Sequence, residues 1–162
     1  MLTLEQFKAA RATLQGVIRT TSLIHSPALS KACGNQVYLK PENMQVTGAY
    51  KIRGAYYKIS TLSEEEKARG LITASAGNHA QGLAYAAQAA GVPATIVMPT
   101  TTPLVKVNNT KDYGAKVILH GEVFDESAEL AAKLAEEYWD EHRQDILYIV
   151  DGSFLEEYDE YN

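Results

Sequence analysis

Short apolar runs alternate with longer segments of helical pattern through the second half of this sequence. The apolar runs are 71–74, 94–98, 116–119 and 146–150, and each is a predicted strand. Strands that alternate with helices of this length form right-handed βαβ units and a parallel sheet. We therefore expect an α/β fold with an open parallel four-stranded sheet and helices on both faces. An N-terminal helical and extended segment precedes it.

Capping residues mark where several of the predicted helices begin. Thr3 and Ser63 are each followed three residues later by Gln or Glu, which is the capping-box pattern of a helix N-terminus. Thr102 is predicted to cap a further helix whose first residue is Pro103, since proline favours that position. Other helices are predicted over 28–32, 79–90 and 125–141.

A lysine stands between two glycines where another helix is predicted to begin. Residues 47–54 are Thr-Gly-Ala-Tyr-Lys-Ile-Arg-Gly, and the apolar spacing that follows places Lys51 in the first helical turn. Lysine is the common side chain that can form an imine with an aldehyde cofactor. Its pKa falls near positive charge, which Arg53 and the N-terminal end of the helix would supply. The alternative is a solvated lysine at a helix start.

A second motif follows the first predicted strand of the sheet. Residues 74–82 are Ala-Ser-Ala-Gly-Asn-His-Ala-Gln-Gly and join that strand to an alanine-rich helix. Such a turn presents backbone N–H groups to an anion such as a carboxylate, and Asn78 can hydrogen-bond a phenolic oxygen. The turn lies at the carboxyl end of a predicted parallel strand, where α/β sheets bind ligands. The alternative is an ordinary connection in which Ser75 and Asn78 only cap the helix.

Composition limits the partners of the chain. Its 162 residues are enough for one compact domain, and its net charge of −5 argues against nucleic-acid binding. No apolar run approaches the length of a membrane span, and charged residues interrupt any signal-peptide pattern at the start. Cys33 is the only cysteine, so no internal disulfide is possible. His25, His120 and His142 lack metal-ligand spacing, so we expect no metal site. From the charge, the lone cysteine and the lack of an apolar span, we expect a cytoplasmic protein without nucleic-acid or membrane partners.

Taken together, the two motifs resemble those of the threonine dehydratases, which are fold-type II pyridoxal-phosphate enzymes. The segments Lys-Pro-Glu-Asn-Met-Gln at 40–45 and Pro-Thr-Thr-Thr-Pro-Leu-Val-Lys-Val at 99–107 match this family too, and the similarity fades only toward the end of the chain. The resemblance implies that Lys51 carries pyridoxal phosphate covalently and that Asn78 bonds the ring oxygen of that cofactor. It also implies that Tyr50 takes the place of the aromatic residue that precedes the family's lysine.

The resemblance further implies a substrate and a reaction. The residues that would bind the substrate carboxylate are Ser75, Gly77, Asn78 and His79. Lys51 would remove the α-proton, and loss of the β-hydroxyl would convert L-threonine into 2-oxobutanoate and ammonia. Serine would give pyruvate by the same route, and the enzyme would serve threonine catabolism or isoleucine biosynthesis. Other fold-type II enzymes, such as serine racemase, are alternatives because these motifs separate them poorly.

A truncated, non-catalytic α/β domain is the second alternative. In the family, a glycine-rich loop later in the chain binds the cofactor phosphate, whereas here only Gly121 and Gly152 follow Gly114, and each stands alone. The catalytic unit of the family is also longer than this chain. We therefore expect a truncated or rearranged gene product, or an excised domain.

The resemblance divides the chain into three parts. Residues 1–45 would pack on the large domain of the family, 46–150 would form the small α/β domain, and 151–162 would be an acidic tail. Without the large domain, four apolar side chains of the first part would be exposed, namely Phe7, Leu14, Val17 and Ile24. Exposed apolar patches promote self-association, so we expect a homo-oligomer.

Overall fold

The computed structural model describes residues 3–142 and 147–148 of the chain. The α-helices are α1 (Leu4–Thr13), α2 (Pro27–Cys33), α3 (Lys51–Ser60), α4 (Glu64–Arg69), α5 (Asn78–Ala90), α6 (Leu104–Asp112) and α7 (Phe124–His142). The strands are β1 (Ile24–His25), β2 (Tyr38–Leu39), β3 (Leu71–Ala74), β4 (Ala94–Met98), β5 (Lys116–Leu119) and β6 (Leu147–Tyr148). A short 3₁₀ helix, Glu42–Met44, lies between β2 and α3.

The central sheet is parallel and has the strand order β5-β4-β3-β6. β3 pairs with β4 from Leu71 opposite Ala94, and β4 pairs with β5 from Thr95 opposite Lys116. The two residues of β6 pair in parallel with the first two residues of β3. These pairings confirm the predicted α/β fold and its parallel sheet. Of the last predicted strand, only the two residues of β6 lie within the described part of the chain.

Helices cover both faces of the sheet, as predicted. α5 and α6 lie on one face, where Ile96 and Met98 of β4 pack with Val107 of α6 in a buried apolar cluster. α7 lies on the other face, where Val97 of β4 packs with Ala131 of α7. Successive strand residues point to opposite faces, so the burial of all three β4 side chains shows that both faces are covered.

Small residues allow α5 to lie between the sheet and α3. On the side of the sheet, α5 contributes Ala80 and Ala84 to the apolar cluster with β4 and α6. On the opposite side, Leu83 of α5 packs with Ile59 of α3. The buried residues of α5 are His79, Ala80, Gln81, Gly82, Leu83, Ala84, Ala86 and Ala87. Burial on two sides explains why this helix is rich in alanine.

The N-terminal segment is helical and extended, as predicted. Both hydrogen bonds of the first capping box are present, and Gln6 Oε1 accepts from the Thr3 amide at 2.7 Å. α2 ends at Gly34, whose left-handed conformation (φ 68°) terminates the helix. β1 and β2 form an antiparallel pair in which Ile24 lies opposite Leu39.

The exposure of this segment differs from the prediction at two of four apolar side chains. Phe7 is 61% exposed and Ile24 is 51% exposed, as expected. The prediction was wrong for Leu14, which is only 7% exposed, and for Val17, which is half-buried. The reason is that α1 lies against α3, and the Tyr85 hydroxyl of α5 donates to the Val17 carbonyl oxygen at 3.5 Å. The turn after α1 is therefore covered by this chain itself.

The start of α6 also differs from the sequence prediction. Pro103, not Thr102, occupies the N-cap position, and the helix begins at Leu104. The Pro103 carbonyl oxygen accepts the first helical hydrogen bond, from the Lys106 amide at 2.8 Å. Thr102 Oγ1 is buried and has no hydrogen-bond partner among the described residues. Thr102 therefore does not cap this helix, because the chain is still extended at Pro103 (ψ 131°).

We predict that Thr102→Val lowers the free energy of unfolding by no more than about 0.5 kcal/mol and can raise it. The reason is that the buried hydroxyl of Thr102 forms no hydrogen bond that the substitution would remove. Ser63→Ala is the matched control. Ser63 Oγ accepts from the Glu66 amide at 3.2 Å, so removing this cap costs about 1 kcal/mol. Urea unfolding of both variants is the measurement, and a loss in T102V as large as that in S63A would restore Thr102 as a cap.

Candidate active site

Lys51 is the first residue of α3 and so lies in the first helical turn, where the sequence predicts it. The chain enters the helix through Gly48, which has a left-handed conformation (φ 72°) and whose amide donates to the Gln45 carbonyl oxygen at 2.8 Å. Lys51 is half-buried, and its Nζ lies 6.0 Å from the centroid of the Tyr50 ring. Tyr50 is 61% exposed and has an αR conformation without a capping side chain. The amine thus lies at the positive end of the helix.

The turn between β3 and α5 presents backbone N–H groups at a helix N-terminus. Ser75 extends the pairing of β3, since its amide donates to the Val97 carbonyl oxygen at 3.0 Å. Its buried Oγ accepts from the Gly77 amide at 3.3 Å. Gly77 is the N-cap residue and has no side chain to bond the first amides of α5. The predicted alternative, in which Ser75 or Asn78 caps the helix, therefore does not describe this turn, and its amides suit an anion.

Lys51 and the turn come together because α3 crosses α5 at a glycine. A Cβ placed on Gly82 would lie 3.0 Å from the Ile52 amide nitrogen, 3.1 Å from the Lys51 carbonyl carbon and 3.3 Å from Lys51 Cβ. Gly82 lies one helical turn beyond Asn78, on the same face of α5. The two sequence motifs are thus in direct contact at their helices. Asn78 is exposed, while His79 is only 8% exposed.

The first turn of α3, which contains Lys51 and Arg53, is called the lysine turn. A network of Thr21, Glu42 and Arg53, here called the Glu42 network, holds the side of this turn that faces away from α5. Arg53 donates to both carboxylate oxygens of Glu42, from Nε and Nη2, at 2.8 Å each. The Thr21 hydroxyl donates to Glu42 Oε1 at 2.6 Å. The hydrogen bonds from Arg53 are the main reason why the pKa of Glu42 is lowered to about 2. The carboxylate likewise raises the pKa of Arg53.

This pairing changes the role that the sequence suggested for Arg53. The sequence predicts that Arg53 places a positive charge beside the lysine amine. In the structure its guanidinium is paired with Glu42, whose side chain is only 17% exposed. Sequence reasoning missed Glu42 and Thr21 as parts of the site. Segment 40–45 resembles the family, but no local pattern connects Glu42 with Arg53, which is 11 residues later, or with Thr21, which is 21 residues earlier.

The N-terminal segment is bonded to the turn before the lysine through Gln45. Gln45 is 4% exposed, and its side chain accepts from the Arg19 amide and donates to the Arg19 carbonyl oxygen, both at 2.8 Å. Arg19 Nη1 also donates to the Met44 carbonyl oxygen at 2.7 Å. The chain around residues 19–21 therefore supports the lysine helix from outside the sheet.

His25 and His120 have structural surroundings. His25 packs against the Tyr38 ring with 5.2 Å between centroids. The His120 amide donates to the Met98 carbonyl oxygen at 2.9 Å, and its carbonyl oxygen accepts from Ser127 Oγ at 2.7 Å. Within residues 3–142 and 147–148, no group of three or more His, Cys, Asp and Glu side chains could hold a metal ion. No helix in the same residues is long and apolar enough to cross a membrane.

The site fits one part of a pyridoxal-phosphate cofactor. The Lys51 amine at the start of α3 suits the carbonyl carbon of the cofactor. The turn at the start of α5, which has no capping side chain, suits a nearby carboxylate. Gly121, the one glycine after Gly114 in the described residues, does not offer a phosphate cradle. A Cβ there would collide with Glu126, whose carboxylate accepts from the Glu122 amide at 2.6 Å. Gly121 therefore does not supply a phosphate anchor.

Family comparison agrees with the geometry. The profile of the family described as pyridoxal-phosphate dependent enzyme matches residues 14–159. The chain belongs to this family. The predicted cofactor, pyridoxal phosphate, and the predicted resemblance to fold-type II enzymes are therefore confirmed.

Curated relatives include enzymes that act on threonine. The L-threonine ammonia-lyase of Thermotoga maritima is 55% identical over 136 residues, which are 84% of this chain and 34% of that protein. The catabolic L-threonine dehydratase TdcB of Staphylococcus aureus is 52% identical over 139 residues, which are 85% of this chain and 40% of that protein. The predicted resemblance to threonine dehydratases is confirmed, and the chain spans well under half the length of these relatives.

Solved structures of family members have the same fold. A threonine deaminase from Solanum lycopersicum is 37% identical with a TM-score of 0.75, covering 91% of this chain and 40% of that chain. Maize serine racemase is 31% identical with a TM-score of 0.79, covering 90% of this chain and 43% of that chain.

The Glu42 network generates a prediction on the pH dependence of stability. Glu42→Gln removes the ion pair with Arg53 and lowers the free energy of unfolding by about 2 kcal/mol at neutral pH. Because folding lowers the pKa of Glu42, its stabilisation is present above the usual value of 4.5 and is lost as the pH falls toward about 2. The difference between wild type and E42Q should therefore shrink toward zero over that range in urea titrations.

The control for this prediction is the exposed pair of Lys67 and Glu64, which are also 2.8 Å apart. Glu64 is 87% exposed, so E64Q should change the free energy of unfolding by less than about 0.5 kcal/mol at any pH. A stability difference for E42Q that does not depend on pH would show that Glu42 acts through packing and not through its charge.

Proposed function

We propose that this chain forms the lysine-bearing part of the active site of a pyridoxal-phosphate-dependent threonine dehydratase, which converts L-threonine into 2-oxobutanoate and ammonia. The observation that carries the proposal is the contact of the two motifs, with Lys51 against Gly82 one turn beyond Asn78. The names of the threonine-specific relatives support this choice within the family. The reaction is proposed for a site that is completed by a phosphate-binding part, since Gly121 does not supply one.

The residues of the proposed site act at stated atoms. Lys51 Nζ would hold the cofactor covalently at its aldehyde carbon, with loss of water, and once displaced by the substrate amine it would be the base that takes the α-proton. Asn78 Nδ2 would donate to the ring oxygen of the cofactor, and the exposed Tyr50 ring lies beside the lysine amine. When bound, the cofactor supplies the electron sink that makes loss of the α-proton possible. The half-buried position of Lys51 limits its contact with water.

The substrate carboxylate is bound at the start of α5. The residues proposed for this role are Ser75, Gly77, Asn78 and His79. Helix N-termini bind anions through backbone N–H groups and the helix dipole, so most of this binding would come from the backbone. The hydroxyl of Ser75 holds the Gly77 amide and thereby shapes the turn. Threonine and serine, which share the carboxylate and the β-hydroxyl, are the proposed substrates.

We propose a cytoplasmic protein of threonine catabolism or isoleucine biosynthesis. We also propose that residues 1–45 serve as a surface for a large domain and that the chain self-associates. The exposed side chains of Phe7 and Ile24 support self-association, and a monodisperse monomer in light scattering would count against it.

Two alternatives have an observation in their favour. The acidic side chain of Glu126 beside Gly121 favours a non-catalytic α/β domain, since a carboxylate there would repel a phosphate. The TM-score of 0.79 with maize serine racemase favours a racemase, whose product from L-serine would be D-serine. Chiral analysis of the serine that remains after incubation separates the racemase from the dehydratase.

Reductive labelling tests the role of Lys51. The chain is mixed with pyridoxal phosphate at a low concentration, reduced with borohydride and analysed by peptide mass spectrometry. We expect one adduct per chain on Lys51, its loss in Lys51→Ala, and its retention in Lys58→Ala, which removes the lysine at the other end of α3. Labelling scattered over many lysines would overturn the proposal for this chain and favour the non-catalytic domain.

Turnover is measured as release of 2-oxobutanoate from threonine and of pyruvate from serine. We expect Asn78→Ala to lower the rate roughly tenfold, because one hydrogen bond to the charged site is worth about 1.5 kcal/mol. Asn108→Ala is the control, since Asn108 is an exposed residue of α6 outside the site. Equal rates in N78A and wild type would remove Asn78 from the proposed site.

A further inference from the structure

We propose that Gly82 is a positioning residue whose missing side chain determines where the Lys51 amine lies relative to the turn at the start of α5. This inference rests on the proposed function of Lys51, but Gly82 itself touches neither cofactor nor substrate in it. The residue carries no chemistry of its own. Its effect comes from the distance that it allows between α3 and α5.

The closest neighbours of Gly82 are backbone atoms of the lysine turn. A Cβ at Gly82 would lie 3.0 Å from the Ile52 nitrogen and 3.1 Å from the Lys51 carbonyl carbon. Contacts this short are tighter than nine in ten real Cβ contacts, so the neighbouring backbone would have to move by a few tenths of an ångström. Backbone atoms, unlike the end of a flexible side chain, cannot rotate out of the way.

The movement would fall on α3, because α5 is held from its other side. Ala80 and Ala84 of α5 are 0% and 1% exposed and pack on the sheet. Displacing α5 would therefore disturb the whole cluster with β4 and α6. At the start of α3 only Ile52 is fully buried, while Lys51 is half-buried and the N-cap residue Tyr50 is exposed, so this end of the helix is held less tightly than α5.

Movement of the lysine turn would change the geometry of the site directly. Asn78 and Gly82 lie on the same face of α5, one turn apart, so the approach at Gly82 also sets how far Lys51 lies from Asn78. Reactions that depend on oriented groups lose rate steeply when those groups are misplaced. A fold that tolerates an alanine at Gly82 would thus still hold its lysine in the wrong place.

Gly54 offers a matched control on the lysine helix itself. It lies in α3 like Lys51, but a Cβ there would meet no atom within 4 Å. Alanine also favours a helix over glycine at both positions. Gly54→Ala should therefore stabilise the chain without moving Lys51, whereas Gly82→Ala combines the same gain in helix propensity with the steric conflict.

The experiment compares wild type, G82A, G54A and the double variant G54A/G82A. The first readout uses no cofactor: trace acetylation with acetic anhydride gives the reactivity of Lys51 relative to Lys58 by peptide mass spectrometry. The second is the yield of the borohydride-reduced pyridoxal-phosphate adduct on Lys51 as a function of pH. Urea unfolding supplies the stability of each variant. The double variant keeps the test valid if G82A alone is too unstable, since G54A offsets part of the loss.

We expect the Lys51 to Lys58 acetylation ratio to change by roughly twofold or more in both chains that carry G82A, and the Lys51 adduct yield to fall roughly threefold. G54A should match wild type in both readouts. A merely structural role would lower the free energy of unfolding and leave Lys51 unchanged in the folded chain. That result would overturn the inference.

The outcomes also separate this inference from the proposed function. If wild type forms the Lys51 adduct and G82A matches it in both readouts, the function stands and the role of Gly82 is overturned. If wild type forms no specific adduct while the acetylation ratio still changes in G82A and not in G54A, Gly82 positions Lys51 but the proposed cofactor role fails.

Discussion

The close approach of α3 to α5 is the contact on which the candidate site depends. α5 is enclosed between the sheet and α3, and only small residues allow both neighbours to come near it. Gly82 lies at the tightest point, where its Cβ position is 3.0 Å from the Ile52 nitrogen. Because α5 also begins at the turn after β3, this one packing contact joins the sheet, the anion-binding turn and the lysine helix in a single arrangement.

A polar contact acts from the opposite side of the same lysine turn. Arg53 and Glu42 form a bidentate ion pair that is largely shielded from water. Thr21 of the N-terminal segment donates a further hydrogen bond to the Glu42 carboxylate. Such a pair is directional, so it restrains the rotation of α3 where the apolar contact restrains its distance. The N-terminal segment is largely exposed and adds little to the apolar core, yet it contributes to the site through this network.

The division of the site follows from the chemistry of its donors. The described residues supply an amine and a turn of backbone amides, which suit a carbonyl carbon and a carboxylate. A phosphate needs further donors or positive charge, and Gly121, which stands alone in the sequence, has the acidic side chain of Glu126 against it. The longer relatives are therefore the natural reference for how the remaining contacts are made.

Local patterns in the sequence determined the secondary structure and the parallel sheet. The strands at 71–74, 94–98 and 116–119 and the capping boxes at Thr3 and Ser63 match their predictions because they depend on neighbouring residues alone. The sequence also determined Lys51 and the turn at 75–79 as candidates, through motifs. Only the tertiary structure decided the pairing of Arg53 with Glu42, the burial of Leu14 and the contact at Gly82. Each of these depends on which elements meet, and no local spacing encodes that.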